Sequence, residues 1–266
     1  MDNIARSVNL LYEKYPYPSL PIRNERDLVN KLHANVMSKI LATAGLEPQS
    51  LCGKEMLDAG CGTGEKSCYF SYYGANVTAL DPCSASLAKG QKLAEKFKLQ
   101  VEFEQCDIAE FETEKRFDHV FCLGVLHHTS DPYGRFRVLT DICKPGGTVT
   151  VGLYNRYGRL AHRARRMWIR LNAGGDIERR MSFVERRVYG RKFKNTHEQA
   201  YAADKYVNPY ESYHSVGEVL DWFNKNDITY IGSHPHTGQG KRQAFFSQLK
   251  WLLRRNGFFI ISGRKN

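Results

Sequence analysis

The chain has 266 residues, 42% of them hydrophobic and 25% charged, with a formal net charge of +11. That length suits one domain with a sizeable core plus an embellishment, or two small domains at most. No apolar run approaches the ~20 residues that span a bilayer, and Met1-Asp2-Asn3-Ile4-Ala5-Arg6 lacks the charged-then-apolar pattern of a secretory leader. Seven cysteines, an odd number without paired spacing, fit reduced thiols in a cytoplasmic protein, and no C-x2-C or H-x3-H unit offers a metal site.

Residues 1 to about 50 read as an N-terminal helical cap, with a short helix carrying Leu10 and Leu11 and another across Leu28, Leu32, Val36 and Ile40. Between them, Tyr12-Glu13-Lys14-Tyr15-Pro16-Tyr17-Pro18 displays three tyrosines on a ribbon stiffened by two prolines. Their rings either pack the cap onto the core, or Tyr12, Tyr15 and Tyr17 cover a ligand or line an acceptor pocket.

Met56 to Ala59 predicts a first strand, ending in a carboxylate, Asp58, and followed by Gly60-Cys61-Gly62-Thr63-Gly64 at the start of a helix. Alternate glycines let the backbone turn sharply and touch a ligand where a Cβ would collide. A pyrophosphate prefers bare amides at a helix N-terminus, so a carboxylate one step before the first glycine disfavours a dinucleotide. It favours an ammonium or sulfonium, and S-adenosylmethionine (SAM) carries both. The second strand, Ala75 to Leu80, ends at Asp81, about twenty residues after the glycines, where an acid accepts from ribose hydroxyls. A third strand, Val101 to Ile108, brings Asp107 to a strand end suited to an adenine amino group. The fourth, Phe117 to Gly124, runs into Val125-Leu126-His127-His128. A helix closing over Leu139 to Cys143, a Lys144-Pro145-Gly146-Gly147 turn and a fifth strand, Thr148 to Tyr154, follow.

After Tyr154 the apolar period becomes helical: Tyr157, Leu160, Ala161, Ala164, Met167, Trp168 and Leu171 mark one face, and Arg156, Arg159, Arg163, Arg166 and Arg170 another. The apolar face is expected to pack onto the core and the arginines to be solvated or to meet a ligand. Residues 155–194 hold 13 Lys/Arg against 3 Asp/Glu, and residues 241–266 hold 7 Lys/Arg and no acid, which leaves the rest of the chain net acidic. Asp204 to His214 and a helix across Val216 to Phe223 return the chain to two last strands, Ile228 to Gly232 and Phe258 to Ser262, paired antiparallel around a basic amphipathic helix. The connection between strands five and six, about 70 residues, is too long for a structureless loop and is expected to form a basic helical lid over 155–214. Residues 215–266 then complete the sheet of the 51–154 core.

The motifs Leu57-Asp-Ala-Gly-Cys-Gly-Thr-Gly64, Leu80-Asp81, Cys106-Asp107-Ile108, Leu126-His127-His128 and Lys144-Pro-Gly-Gly147 together resemble the class I SAM-dependent methyltransferases, strongly from about Leu51 to Tyr154. The resemblance implies an α/β, Rossmann-like sheet of seven mostly parallel strands with an antiparallel last strand and helices on both faces. It implies SAM as cofactor, held by Asp58, Gly60, Cys61, Gly62, Gly64, Asp81, Pro82, Asp107, Ile108, Leu123, Gly124 and His127. Tyr154-Asn155 with Gly158 is similar to ubiquinone-pathway O-methyltransferases and to the methyltransferases of tRNA wobble carboxymethoxyuridine.

Candidate catalytic residues are His127, His128, Tyr154 and His214. Candidate acceptor-binding residues are Tyr12, Tyr15, Tyr17, Tyr154, Asn155, Arg159, Tyr206 and His214. The leading expectation is methyl transfer to a small-molecule or lipid-like, anionic acceptor, with an anionic membrane surface as a possible partner of the amphipathic helix. The alternative is a tRNA or other RNA acceptor tracked by the basic lid and tail. A protein acceptor, an NAD(P)-dependent oxidoreductase and a non-catalytic SAM-binding regulator stand behind these.

Overall fold

The computed structural model describes residues 2–16, 22–29, 31–238, 240–254 and 256–266. Helices α1 (Asn3–Lys14), α2 (Glu25–Val29) and α3 (Lys31–Thr43) come first. Strand and helix then alternate through β1 (Glu55–Ala59), α4 (Glu65–Tyr72), β2 (Asn76–Leu80), α5 (Ser84–Lys96), β3 (Val101–Glu104), β4 (Phe117–Leu123), α6 (Pro132–Asp141) and β5 (Cys143–Tyr154). Helices α7 (Leu160–Ala173), α8 (Ile177–Val184) and α9 (Thr196–Ala202) follow, with π-helical turns over Glu185–Tyr189 and Ala203–Val207. The chain closes with α10 (Val216–Lys225), β6 (Ile228–His234), α11 (Lys241–Arg254) and β7 (Phe258–Lys265).

The strands form one seven-stranded sheet in the order β3-β2-β1-β4-β5-β7-β6. Only β7 runs against its neighbours, antiparallel to both β5 and β6. Strand alternation sends Leu57, Val120, Val149 and Ile261 into a core with α6, α10 and α11, while Met56, Val77, Phe121 and Ile260 meet α2, α3 and α4 on the other face. The order reverses between β1 and β4, which opens a crevice at their carboxyl ends, the place where open parallel sheets bind ligands.

Three boundaries differ from the sequence reading. Strand β3 stops at Glu104, because the Asp107 side chain accepts from the Ala109 amide at 2.9 Å and caps a 3-10 turn over Ile108–Glu110. Strand β5 begins at Cys143 and carries Lys144-Pro145-Gly146-Gly147 inside it as a bulge, where the register against β4 steps from Phe117↔Cys143 to His119↔Thr148. The bulge is pinned by Lys144 Nζ, which donates to Asp118 at 2.9 Å. The apolar pattern over Leu28 to Ile40 is divided between α2 and α3.

Helix α1 packs elsewhere than on the sheet. Leu11 shares a cluster with Ile169, Met181, Val184, Ala202, Ala203, Tyr206 and Val207, and Tyr15 lies against it. The segment after β5 is tied down at its start by Gly158, where a Cβ would stand 1.8 Å from the Asn256 carbonyl oxygen. Gly158→Ala should therefore cost about 1–3 kcal/mol, the usual penalty of overpacking. Gly175→Ala, with nothing within 4 Å, should lie within about 0.5 kcal/mol of the parent. Urea unfolding of the pair measures the difference.

Candidate active site at the sheet switch point

The loop after β1 is built around glycines of positive φ, Gly60 at 74° and Gly62 at 58°. A Cβ on Gly60 would come 2.2 Å from Val125, so the loop and the segment after β4 touch and form the floor of the crevice. The Gly60 and Cys61 amides donate to the Leu80 carbonyl at 2.7 and 2.8 Å. Asp81 accepts from the Gly62 amide through one oxygen and from the Cys83 amide through the other, both at 2.9 Å. A carboxylate has about four lone-pair sites, so Asp81 can brace the loop and still accept from a ribose. Pro82 lies beside it, and Leu123 and the positive-φ Gly124 end β4 on the opposite wall.

Two cofactor candidates already have partners within the protein. Asp58 is fully buried, accepting from Ser67 Oγ at 2.7 Å through one oxygen and facing Lys66 Nζ at 3.5 Å through the other. Lys66 offsets its charge, so the carboxylate is less than a bare anion offered to a cation. Its Oδ1 has no hydrogen-bond partner among the described residues, which leaves a buried acceptor to be satisfied. Asp107 is committed to Arg135, whose Nε and Nη2 donate to it at 3.2 and 3.4 Å, so an adenine amino group would have to compete with a guanidinium.

Beyond the crevice, the end of β4 and the edge of β5 meet the segment after β5. Here His127 is fully buried, with neither ring nitrogen partnered among the described residues, its ring 3.7 Å from that of Tyr154. The Tyr154 ring is sandwiched, with the Arg159 guanidinium 3.5 Å from its centroid on the other side. His128 Nδ1 lies 2.8 Å from the Tyr210 carbonyl, which only accepts, so Nδ1 carries the proton and Nε2 the lone pair. Nε2 points toward Asp204 Oδ1 at 4.0 Å. Asp204 in turn accepts from the Tyr12 hydroxyl at 2.7 Å. Burial pushes the His128 imidazole down to about 4, and burial with the neighbouring His128 and Arg159 holds His127 well below the ordinary value. Burial raises the Asp204 carboxyl despite Tyr12 and the two nearby arginines.

Two of the arginines, Arg159 and Arg166, turn inward against the sequence expectation, while Arg156, Arg163, Arg165 and Arg170 remain exposed. Arg159 Nη2 donates to both oxygens of Glu211 at 3.1 Å, Arg166 Nη1 approaches the same carboxylate at 3.0 Å, and the Tyr213 hydroxyl donates to it at 2.8 Å. The Glu211 side chain is 1% exposed. Arg166 also donates to the Asn208 carbonyl at 2.6 Å, and Arg163 stacks 4.7 Å from the Tyr213 ring. The apolar stripe that should have packed inward is exposed instead, leaving Ile169 as the buried apolar residue of α7.

Of the remaining candidates, His214 has both ring nitrogens engaged, with Ser212 Oγ at 2.8 Å and Glu218 Oε1 at 2.9 Å, and serves the turn into α10. Asn155 is fully buried: its Oδ1 accepts from the Tyr157 and Gly158 amides and its Nδ2 donates to Gln248. It shapes the turn after β5. Tyr206 and Tyr15 belong to the helical cluster, and Tyr17 lies outside the described residues. Tyr12, Tyr154, His127, His128 and Arg159 are brought together. Glu211, Asp204 and Tyr213 went unassigned; the acids that flank Asn208-Pro209 were the available signal, since an acid in a segment following an arginine-dense helix is a potential partner.

A methyltransferase-domain family profile matches residues 57–151. A ubiquinone biosynthesis O-methyltransferase from Pseudomonas putida is 40% identical over 113 residues, 41% of this chain and 48% of that protein. Residues 57–151 are a class I SAM-dependent methyltransferase domain. An uncharacterised Synechococcus protein is 28% identical over 257 residues, 87% of this chain and 60% of its own length. The chain thus spans between about half and 60% of the length of these curated relatives. Among solved structures, magnesium protoporphyrin IX methyltransferase from Synechocystis with bound S-adenosylhomocysteine superposes with a TM-score of 0.59 at 14% identity, over 97% of this chain and 100% of that one. Its likeness concerns the fold.

Outside the methyltransferase domain, α1 reaches both halves of the site. Glu13 accepts from the Ser84 amide at 2.8 Å beside the crevice, and Tyr12 donates to Asp204 beside His128. Glu211→Ala should destabilise the fold by about 3–5 kcal/mol, because it strands two buried guanidiniums. Glu211→Gln, which keeps the acceptor oxygen, should lose less. Urea midpoints of the two variants check the order.

Proposed function

We propose that the chain methylates a small-molecule acceptor, an aromatic hydroxyl by preference, in the chamber between His127, His128, Tyr154 and the helices after β5, with His128 as general base. The observation that carries this is the fixed tautomer of His128: a carbonyl holds Nδ1–H, and Nε2, which carries the lone pair, lies 4.0 Å from Asp204 Oδ1. SAM, when bound, supplies a methyl group on a positively charged sulfur whose departure as a neutral thioether needs no acid. The residues that fit it are the Gly60–Gly64 loop, Asp58, whose Oδ1 faces Lys66 without accepting a hydrogen bond among the described residues, and Asp81. The two orphaned nitrogens of His127 likewise fit a site completed by ligand.

A phenolic hydroxyl holds its proton at neutral pH, so transfer to it gains from a positioned base, by about 10²–10⁴-fold. His128 is neutral well below pH 7 because burial disfavours its charged form. The rings of Tyr12, His127, Tyr154 and Phe258 offer aromatic walls. An anionic acceptor is less favoured than the arginine content implied, since Arg159 and Arg166 are already matched by Glu211. RNA loses the same two arginines as phosphate ligands. The name of the Pseudomonas putida relative, an O-methyltransferase, supports oxygen as the acceptor atom.

Label from tritiated-methyl SAM added to fractionated cell extract should enter the small-molecule pool; label confined to RNA or protein overturns the acceptor assignment. SAM at ~100 Kd should add about 2.7 kcal/mol of stability in a thermal shift, with no response to NAD. His128→Gln should lower kcat by about 10²-fold, the low end for general-base catalysis because a depressed imidazole is a weak base, with SAM affinity unchanged. In the parent, kcat/KM should hold as pH falls through ~6.5, where an ordinary imidazole takes up its proton, and drop only near the depressed value of about 4. An acid limb at 6.5 removes the buried His128 as base.

A further inference from the structure

We infer that the outward faces of α7 and α11 form a docking surface for an anionic lipid bilayer. Both helices present apolar residues to solvent as continuous stripes. On α7 these are Leu160, Met167, Trp168 and Leu171, with Leu171 79% exposed. On α11 they are Phe245, Phe246, Leu249, Leu252 and Leu253, with Leu253 85% exposed, directly opposite the buried Ala244, Gln248 and Trp251. Three- and four-residue steps put each set on one side of its helix. Isolated exposed leucines need no explanation, but two apolar helix stripes linked by a ring contact do.

The stripes join at the rim of the acceptor chamber. Tyr157, just before α7, meets Phe245 of α11 at a ring distance of 6.0 Å. Phe258, which follows α11, is partly exposed and lies 6.2 Å from the Tyr154 ring and 6.4 Å from the His127 ring. Tyr157 thus links the two helices, and Phe258 carries the exposed apolar surface to the rings of Tyr154 and His127.

Charge selects the partner. Arg163, Arg165 and Arg170 flank the α7 stripe, Arg242, Lys250 and Arg254 that of α11, and neither helix contains an acid. Apolar side chains bordered by Lys and Arg suit a helix lying in the boundary between anionic headgroups and acyl chains. A second copy of the chain fits poorly, because a two-fold contact would set this cationic face against itself. RNA fits poorly as well, because leucines and methionine offer nothing to phosphate and Arg159 and Arg166 are turned inward. No helix among the described residues is long and apolar enough to cross a membrane, so the contact is with the surface.

Flotation of the full chain with phosphatidylglycerol/phosphatidylcholine vesicles, without SAM, tests this independently of catalysis. The protein should float with these vesicles, bind phosphatidylcholine vesicles at least about tenfold more weakly, and come off as salt rises. Leu171→Glu combined with Leu253→Glu should reduce binding at least about tenfold with unchanged thermal stability, since both side chains are exposed. Val36→Ser, an exposed apolar position on α3 at the other sheet layer, should bind as the parent does. Failure to float with anionic vesicles, or flotation indifferent to the two glutamates, overturns the proposal. So does a dimer in light scattering that the same glutamates dissociate, or tRNA binding that displaces the protein from vesicles and survives both glutamates.

Discussion

The buried carboxylate of Glu211, held between Arg159 and Arg166, sets the arrangement of the whole second half of the chain. A carboxylate that is almost fully enclosed must be paired, and the two guanidiniums at its oxygens, with the Tyr213 hydroxyl, supply that pairing. Once Arg159 and Arg166 are committed inward, the rotation of α7 about its axis is fixed. One consequence is local: the Arg159 guanidinium lies on the Tyr154 ring and presses it against His127. The other is on the far side, where the apolar residues of α7 are turned to solvent. Desolvation opposes such an ion cluster and leaves its net contribution to stability small, so its main effect is on orientation.

That cluster is also where the sequence was least legible. Period-2 and glycine signals located every strand and the crevice, because those patterns depend on residues adjacent in the chain. Helical periodicity identified α7 and both of its faces, yet it cannot say which face turns inward when each is amphipathic in its own way. The deciding partner, Glu211, lies 52 and 45 positions away from the two arginines. The usual preference for burying leucine and tryptophan over arginine lost to the requirement that an enclosed carboxylate be paired. Asp58 is a related case: its position before the glycines was plain, but Lys66, the second residue of α4, offsets its charge.

The histidines show how far environment, rather than residue type, determines chemistry. His127 and His128 are neighbours in sequence, and both are buried neutral. One has no partner for either nitrogen among the described residues, and the other has one nitrogen tied to a backbone carbonyl. His214 has both nitrogens occupied by Ser212 and Glu218, within the capping box that starts α10. The hydrogen bond at one ring nitrogen dictates what the other can do, which gives His128, of these three, a fixed tautomer with the lone pair of Nε2 toward Asp204. None of this is visible from spacing, since Tyr210 and Asp204 reach His128 from some 80 residues further along.

Packing, finally, divides the molecule differently from chain order. Helix α1 precedes the methyltransferase domain, yet Leu11 is buried with Ile169, Val184 and Tyr206, residues from the segment after β5. Helices α2 and α3, next in sequence, belong instead to the core beneath β1 and β2. Leu11 and Tyr15 thus complete a small apolar core that the helices after β5 could not close alone. The same helix sets Glu13 against the start of α5 and Tyr12 against Asp204. Its apolar side is committed to one layer and its polar side to the crevice and the chamber, so the N-terminus is built into the site rather than laid over the sheet.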